Sequence, residues 1–365
     1  MEKFVAYNPT KLHFGKGVVD NLGSAIKKYG KRALFLTGKG SVKKYGYYDL
    51  VKAQLVSANI EFVEFDGIKP NPIIEDARDA VKAGIDNNVE FIVALGGGSV
   101  IDSAKMIALG IANETDPWDY LTGKAQPQKT IPLINVLTLA ATGTEMNAAA
   151  VVQNHETGQK LGWAHPLNFP AESFLDPTYT LSVPKSYTAY GVVDLIAHAL
   201  EAYFGKGESD VIDEITFAII NDAIKNGPKL LENLSDYDLR ESIMLDATLA
   251  LNGLTMYGKQ SGDWGVHSMG HEVSLLFDTA HGATLSIAYP AWLKFHSDKI
   301  PQRIINLGQG LFGVDSVEAT ISALEKVFTS LGSPIRLSEI DLDLNDGEKL
   351  LEQYNLKVPD AYQPN

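Results

Sequence analysis

The chain has 365 residues, 45% of them hydrophobic, and carries a formal net charge of −14 at pH 7. This length usually makes two domains, and the hydrophobic content is enough for two cores. The negative charge argues against nucleic acid and anionic membranes as partners. The absence of cysteine excludes a disulfide framework and a cysteine nucleophile. Because the amino terminus has no signal-peptide pattern and no apolar run could span a bilayer, we expect a cytoplasmic protein.

The pattern of apolar residues along the chain changes near residue 180. Before it, β-rich runs alternate with helical patterns, which is typical of a parallel sheet covered by helices. The predicted strands are residues 32–37, 60–65, 91–95 and 131–136, and the predicted helices are residues 49–58, residues 74–87 and one starting at Ser99. We therefore predict an α/β domain over residues 1–182.

After Asp176-Pro177 the apolar positions recur with the period of a helix. The predicted helices cover residues 187–204, 210–226, 239–257, 266–276, 281–295 and 317–331, with breaks marked by Pro184, Gly207, Gly227 and Gly332. This pattern predicts an all-helical domain over residues 183–365.

Half of the chain's eight histidines are concentrated in one stretch of that second domain. His267 and His271 are four residues apart, which places both on one face of a helix, and His281 follows in front of a glycine. Upstream, Asp194 and His198 repeat this spacing among apolar neighbours. Polar side chains on otherwise apolar helix faces are costly to bury without a partner.

A single buried histidine is usually a hydrogen-bonded core residue, but two such pairs and a third histidine favour a metal site. Asp194, His198, His267 and His281 would give one oxygen and three nitrogen ligands, which suits one divalent Fe(II) or Zn(II) ion. One carboxylate and three neutral imidazoles would leave that site with net positive charge. His271 could be a fifth ligand, a partner of a ligand or a proton carrier.

The run FIVALGGGSVIDSAK at residues 91–105 has the order strand, glycine turn, helix. Glycines allow the backbone to approach a diphosphate, and a helix N-terminus supplies N–H donors. Ser99 with Asp102 three residues later is typical of a capping box at the start of a helix. The run is not the dinucleotide fingerprint with spaced glycines, so a plain tight turn is the alternative.

The loop after the first predicted strand, residues 37–44, contains no acidic residue that could bind the ribose hydroxyls of NAD. Ser41, Lys39 and Lys43 could instead surround a phosphate. A solvated basic turn is the simpler interpretation of this loop taken alone.

Together these segments resemble the iron-containing alcohol dehydrogenases, in particular the branch of butanol dehydrogenases and NADPH-dependent aldehyde reductases. The resemblance is carried, in chain order, by GIKPNP, GGGSVIDSAK, TLAATGTEMN, DPTYT, VVDLIAHALE and HSMGHEVS followed by HGATLS. It spans residues 67–286. One departure is TLAATGTE, where many members have a glycine-richer segment.

The resemblance implies a dinucleotide-binding parallel-sheet domain followed by a helical metal and substrate domain, as in dehydroquinate synthase, with the cofactor in the cleft between them. It assigns the metal to Asp194, His198, His267 and His281, and proton handling to His271. The cofactor-binding residues that it implies are Gly38, Ser41, Asn71, Gly97, Gly98, Ser99, Asp102, Thr138, Thr142, Asn147 and Lys160. Because members that prefer NAD carry an acid where this chain has Gly38, NADP(H) is expected over NAD(H). A homodimer is expected as well.

The hypothesis is therefore reversible hydride transfer between NADP(H) and a small aldehyde or primary alcohol of the butanol type. The metal would polarise the carbonyl, and the protein would position the reactants. The alternatives are a polyol (glycerol-type) dehydrogenase, a dehydroquinate synthase-like lyase and a protein that binds metal and nucleotide without catalysis. The lyase would need basic residues to grip a phosphorylated acid, and the helical domain has few.

Overall fold

The computed structural model describes residues 1–357 of the chain. The described chain forms two compact units. One unit is Tyr7–Val183, and the other combines Met1–Ala6 with the chain from Pro184 onwards. Within the described residues, no helix is both long enough and apolar enough to cross a membrane.

The unit Tyr7–Val183 contains a six-stranded sheet in which every pairing is parallel. Its strands are β1 (Lys11–Phe14), β2 (Arg32–Gly38), β3 (Glu61–Ile68), β4 (Phe91–Gly96), β5 (Leu133–Leu137) and β8 (Glu172–Leu175), in the spatial order β1-β8-β5-β4-β2-β3. A separate antiparallel hairpin pairs β6 (Ala149–Asn154) with β7 (Gln159–Ala164). The four predicted strands are all found, and the hairpin and β8 are elements that the sequence patterns did not predict.

Helices cover both faces of this sheet, and the strand sequences show why. Leu34 and Ile92 face one apolar cluster, while their neighbours Phe35 and Val93 face another, because successive side chains of a strand point to opposite faces. A strand buried on both faces must be apolar throughout, as in the fully buried β4. The helices of this unit are α1 (Leu22–Ile26), α2 (Ser41–Lys44), α3 (Tyr47–Ser57), α4 (Ile74–Asp86), α5 (Gly98–Asn113) and α6 (Pro117–Leu121).

The second unit is built from helices in its described part, with one isolated bridge between Lys206 and Ser261. The helices are α7 (Lys185–Tyr203), α8 (Asp210–Glu232), α9 (Tyr237–Leu251), α10 (Gly265–Phe277), α11 (His281–His296), α12 (Pro301–Phe312), α13 (Val317–Ser330) and α14 (Leu344–Lys357). The sequence patterns had indicated neither α12 nor α14.

The break predicted at Gly227 is wrong, because α8 continues through Gly227 and Pro228 to Glu232. The glycine has a packing role: a Cβ there would lie 2.9 Å from Val192 Cγ1 on α7 and 3.0 Å from Leu331 Cδ2. Tertiary packing therefore outweighs the local tendency of glycine and proline to end a helix.

Asp246 of α9 is buried next to Asp222 of α8, which accepts hydrogen bonds from Asn226 and Ser242. Burial and the neighbouring Asp222 carboxylate raise the pKa of Asp246 to about 8. A group whose pKa is higher in the folded state contributes stability that is complete below its unfolded pKa, about 4. That contribution is lost as the pH rises through 8.

We expect Asp246→Asn, which cannot ionise, to remove this loss. The variant should be more stable than the wild type by about 1 to 3 kcal/mol above pH 8, with a much smaller difference near pH 5. Urea unfolding midpoints at pH 5 and pH 8.5 measure the effect. Asp298→Asn, at an exposed position of the same unit, is the control. Parallel pH dependence in the wild type and Asp246→Asn would contradict the interpretation.

Candidate functional site

Three helices of the second unit carry the predicted metal ligands. Asp194 and His198 lie one turn apart on α7, His267 and His271 lie one turn apart on α10, and His281 is the first residue of α11. The distances from Asp194 Oδ1 are 3.5 Å to His198 Nδ1, 3.5 Å to His267 Nε2 and 3.7 Å to His281 Nε2. One carboxylate oxygen therefore faces three imidazoles.

Asp194, His267 and His281 can each offer one ligand atom such that these atoms lie within 4.8 Å of one another. His198 lies outside this group of three but next to it, because its ring centroid is 4.4 Å from that of His267. His271 is half-buried, with its ring centroid 5.4 Å from His281 and 6.2 Å from His267.

The buried atoms of this cluster fit a divalent cation. Asp194 Oδ1, His198 Nδ1 and His267 Nε2 are buried, and no described residue offers them a hydrogen bond. Buried polar atoms without partners are costly, and a cation placed among them would satisfy them together. Nitrogen and oxygen donors of this kind suit Fe(II) or Zn(II).

The two buried histidines of this cluster differ in their protonation. Burial lowers the pKa of His198 to about 4, so this imidazole is neutral at pH 7. Burial also opposes the charged form of His267, but the Glu201 and Asp194 carboxylates outweigh it and raise the pKa of His267 to about 10. A bound cation would take the place of that proton.

Glu201 is the residue of this cluster that our sequence analysis did not identify. Its side chain is fully buried on α7 and contacts His267 Nδ1. The signal was present in the sequence, because residues 194, 198 and 201 follow the i, i+4, i+7 spacing of one helix face. Glu201 adds a second carboxylate beside the predicted ligands, and the net charge predicted from the sequence did not include it.

Close packing of two helices requires the glycine that follows His281, Gly282. A Cβ at this position would lie 2.3 Å from the backbone oxygen of Tyr190 on α7. The first turn of α11 therefore approaches the α7 backbone directly, only one turn from Asp194. This close approach brings His281 to the cluster.

The predicted cofactor residues lie in the other unit, mostly where parallel strands end. Gly38 ends β2, Gly96 ends β4, and Thr138 follows β5 and donates its N–H to the Gly96 carbonyl (3.0 Å). Ligands of open parallel sheets bind at the carboxyl ends of the strands. A Cβ on Gly98 would lie 2.9 Å from Thr142 Oγ1, so the glycine turn and the segment after β5 are in close contact.

The capping box predicted for Ser99 and Asp102 is wrong. Helix α5 begins at Gly98, its N-cap residue is Gly97, and no side chain caps it. Asp102 is instead buried and accepts hydrogen bonds from Thr144 Oγ1 (2.6 Å) and Val151 N (3.0 Å). These two hydrogen bonds connect α5 to the chain segment around β6.

Lys105, a second residue that our sequence analysis did not single out, completes this network. Its buried ammonium donates to Thr144 Oγ1 (2.6 Å), Asn147 Oδ1 (3.1 Å) and the Ala149 carbonyl (2.6 Å). Burial lowers its pKa to about 8. Asn147 also accepts from the backbone N–H of Ala149 (2.9 Å). The polar groups of this region hold the segment after β5 in place.

The remaining predicted residues lie near the ends of β2 and β3. Lys160 donates to Asn71 Oδ1 (3.1 Å), and Asn71 has a left-handed backbone (φ 51°). Ser41 is the exposed first residue of α2, after Gly38. In the same loop Lys43 pairs with Asp66 of β3 (2.5 Å), a carboxylate that the loop sequence alone did not reveal.

Comparison with known protein families matches the two parts of the chain separately. The model of the family described as iron-containing alcohol dehydrogenase matches residues 9–177, and that of its C-terminal domain matches residues 188–356. The chain belongs to the iron-containing alcohol dehydrogenase family and is an oxidoreductase of alcohols and aldehydes.

Individual relatives are similar over nearly the whole chain. A probable NADH-dependent butanol dehydrogenase 1 of Bacillus subtilis is 41% identical over 355 residues, or 95% of this chain and 91% of the relative. The NADPH-dependent aldehyde reductase YqhD of Escherichia coli is 36% identical over 363 residues, or 97% and 93% of the two chains.

The crystal structure of NADH-dependent butanol dehydrogenase A from Thermotoga maritima superposes with a TM-score of 0.96 at 38% identity, covering 100% of this chain and 93% of that one. These similarities confirm the predicted fold class, family and branch.

Proposed function

We propose that this oxidoreductase reduces small aldehydes of the butanal type to primary alcohols, using NADP(H) and one divalent metal ion, Fe(II) or Zn(II). The observation that carries the proposal is the convergence of Asp194, His198, His267 and His281 in a chain of this family. In this proposal the α/β domain, residues 1–182, binds the dinucleotide, and the helical domain, residues 183–365, binds the metal and the substrate.

The chain's own residues have distinct tasks in this reaction. When bound, the metal supplies Lewis acidity toward the carbonyl oxygen, and the nicotinamide supplies a hydride. Asp194 and the three histidines hold the ion, with His198 neutral at pH 7 because of its burial. His271, half-buried near His281, is proposed to carry the proton that the alcohol oxygen receives.

The cofactor is proposed to bind at the carboxyl ends of the strands. Gly97, Gly98 and Ser99 would place the first turn of α5 against the diphosphate. Asp102 and Asn147 would act there by holding the segment that contains Thr138 and Thr142. Asn71 and Lys160, joined by a hydrogen bond, are proposed to line the nucleotide near the end of β3.

The preference for NADP(H) is proposed from the loop after β2. Gly38 presents no side chain where an acid would repel a 2′-phosphate, and Ser41 and Lys39 are exposed and able to bind one. Some similar proteins are named for NADH and others for NADPH. The proposed preference therefore rests on the residues of this loop.

We expect Gly38→Asp to raise the KM for NADPH about ten- to a hundred-fold, and that for NADH much less. The new Cβ makes only ordinary van der Waals contacts, because it would lie 3.4 Å from Val100 Cγ2 and 3.5 Å from the Ile68 carbonyl. Steady-state kinetics with both coenzymes measure the change. Gly38→Asn, of equal size but uncharged, separates charge from bulk. Equal specificity constants for the two coenzymes in the wild type would contradict the proposal.

A panel of substrates assayed on metal-loaded protein tests the proposed activity. Butanal and propanal should be reduced with higher kcat/KM than that for oxidation of glycerol or 1,3-propanediol. The diols are included because 1,3-propanediol dehydrogenases of Citrobacter freundii and Klebsiella pneumoniae are 28% identical to this chain. Preference for a diol would replace the butanol-type assignment with the polyol alternative.

We also propose that the protein is a cytoplasmic homodimer. The short strand β1 is at one edge of the sheet, where a second copy could add a strand. Light scattering at micromolar concentration that gives the mass of a monomer would contradict the dimer.

A further inference from the structure

Glu201 connects two of the helices that carry the candidate metal ligands. It lies on α7 and is fully buried. Its Oε1 accepts the backbone N–H of His267 on α10 (2.9 Å), and its Oε2 contacts His267 Nδ1. Its backbone carbonyl accepts the N–H of Asp263 (3.0 Å), just before α10. One residue thus fixes the start of α10 in three places.

The first of these contacts completes the N-terminus of α10. The helix begins at Gly265, so the N–H of His267 belongs to its first turn and has no carbonyl partner within the helix. The N-cap residue, Trp264, gives no side-chain hydrogen bond. Glu201 supplies this acceptor from a different helix, and its negative charge suits a helix N-terminus.

The second contact determines which ring nitrogen of His267 faces the other ligands. An ionised carboxylate can only accept hydrogen bonds, so Nδ1 must carry the proton in this pair. The lone pair of a neutral His267 is then on Nε2, the atom 3.5 Å from Asp194 Oδ1. A histidine ligand whose other nitrogen donates to a carboxylate is oriented and made more basic.

We infer that Glu201 is a positioning residue for the metal: it fixes both the backbone and the ring tautomer of His267. The inference rests on the proposed metal site and adds a residue that acts through a ligand without being one. Its charge also makes the site neutral when a divalent ion is bound beside Asp194.

A glutamine cannot replace Glu201 in both contacts. Its single carbonyl oxygen can accept from the backbone N–H of His267 or from Nδ1–H, and its NH₂ group then faces the other donor. If the NH₂ group donates to Nδ1, the proton moves to Nε2 and blocks the atom meant for the metal. Aspartate keeps the charge but is one methylene shorter, so it cannot reach both partners.

The test measures Co(II) binding to metal-free wild type, Glu201→Gln and Glu201→Asp by competition with a chromophoric chelator. The visible spectrum of Co(II) reports the geometry of its ligands, and far-UV circular dichroism checks folding. We expect about 10- to 100-fold weaker binding in both variants, with an altered spectrum. Glu172→Gln is the matched control, because Glu172 is a buried glutamate that contacts His13 Nε2 (2.6 Å) in the other unit.

The outcomes separate this inference from the proposed function. Folded Glu201 variants with the affinity and spectrum of the wild type would overturn the inference and leave the metal site intact. A wild type that binds no Co(II) would overturn the metal site, and the inference with it. If Glu201→Gln does not fold, Glu201→Asp decides alone. An equal loss of affinity in Glu172→Gln would also overturn the inference.

Discussion

Replacing Asp194 or His267 by alanine is expected to lower metal affinity by at least about two orders of magnitude and to abolish aldehyde reduction. The reason is geometric, because Asp194 Oδ1 lies within 3.7 Å of a nitrogen of His198, His267 and His281. Asp194→Ala removes the carboxylate among the four proposed ligands, and His267→Ala removes one of the three imidazoles that face it. Elemental analysis of the purified variants and chelator competition measure the loss.

His271→Ala is the matched control for His267→Ala. The two histidines are one turn apart on α10, but only His267 belongs to the group of three convergent ligands, together with Asp194 and His281. The control should keep its metal and lose rate, since His271 is proposed to carry a proton. Full metal occupancy in Asp194→Ala and His267→Ala would contradict the ligand assignment, and loss of metal in His271→Ala would make His271 a ligand.

Gly282→Ala is expected to destabilise the protein by about 2 to 4 kcal/mol and to weaken metal binding at the same time. The added Cβ would lie 2.3 Å from the backbone oxygen of Tyr190 and 2.7 Å from its carbonyl carbon and Cα. These are backbone atoms, so a change of rotamer cannot relieve the contact. Helix α11 must move away from α7, and His281 must move with it.

Thermal unfolding and Co(II) affinity, measured on the same preparation, check this expectation. Gly347→Ala in α14 is the control, because a Cβ there meets no atom of the described residues within 4 Å. Alanine is favoured over glycine in a helix, so the control should be neutral or slightly stabilising. A Gly282→Ala protein with the stability and metal affinity of the wild type would show that the close approach of the two helices is not needed.

The sequence was most informative where one periodic pattern decides the structure. The fully apolar run of β4 and the spacing of Asp194 and His198 each predicted an element or a shared face from local residues alone. The sequence was misleading where distant partners decide. Gly227 reads as a helix break but lies inside α8, because Val192 and Leu331 pack against it.

The same limit applies to the polar groups near the site. Asp102 reads as a capping residue, yet its hydrogen bonds go to Thr144 and Val151, which are far away in the chain. Glu201 is on the predicted ligand face, but its contact with His267 spans 66 residues, so its role depends on how α7 and α10 pack. Local spacing can place a side chain on a helix face without identifying its partner.

The most direct test of the central claim is a metal titration of the metal-free protein, followed by the rate of NADPH oxidation with butanal. Under anaerobic conditions, addition of Fe(II) or Zn(II) should restore an aldehyde-dependent rate that rises until about one equivalent per chain is bound. Metal-free protein that oxidises NADPH at the full rate would contradict the claim. So would metal-loaded protein with no aldehyde-dependent oxidation of NADPH or NADH.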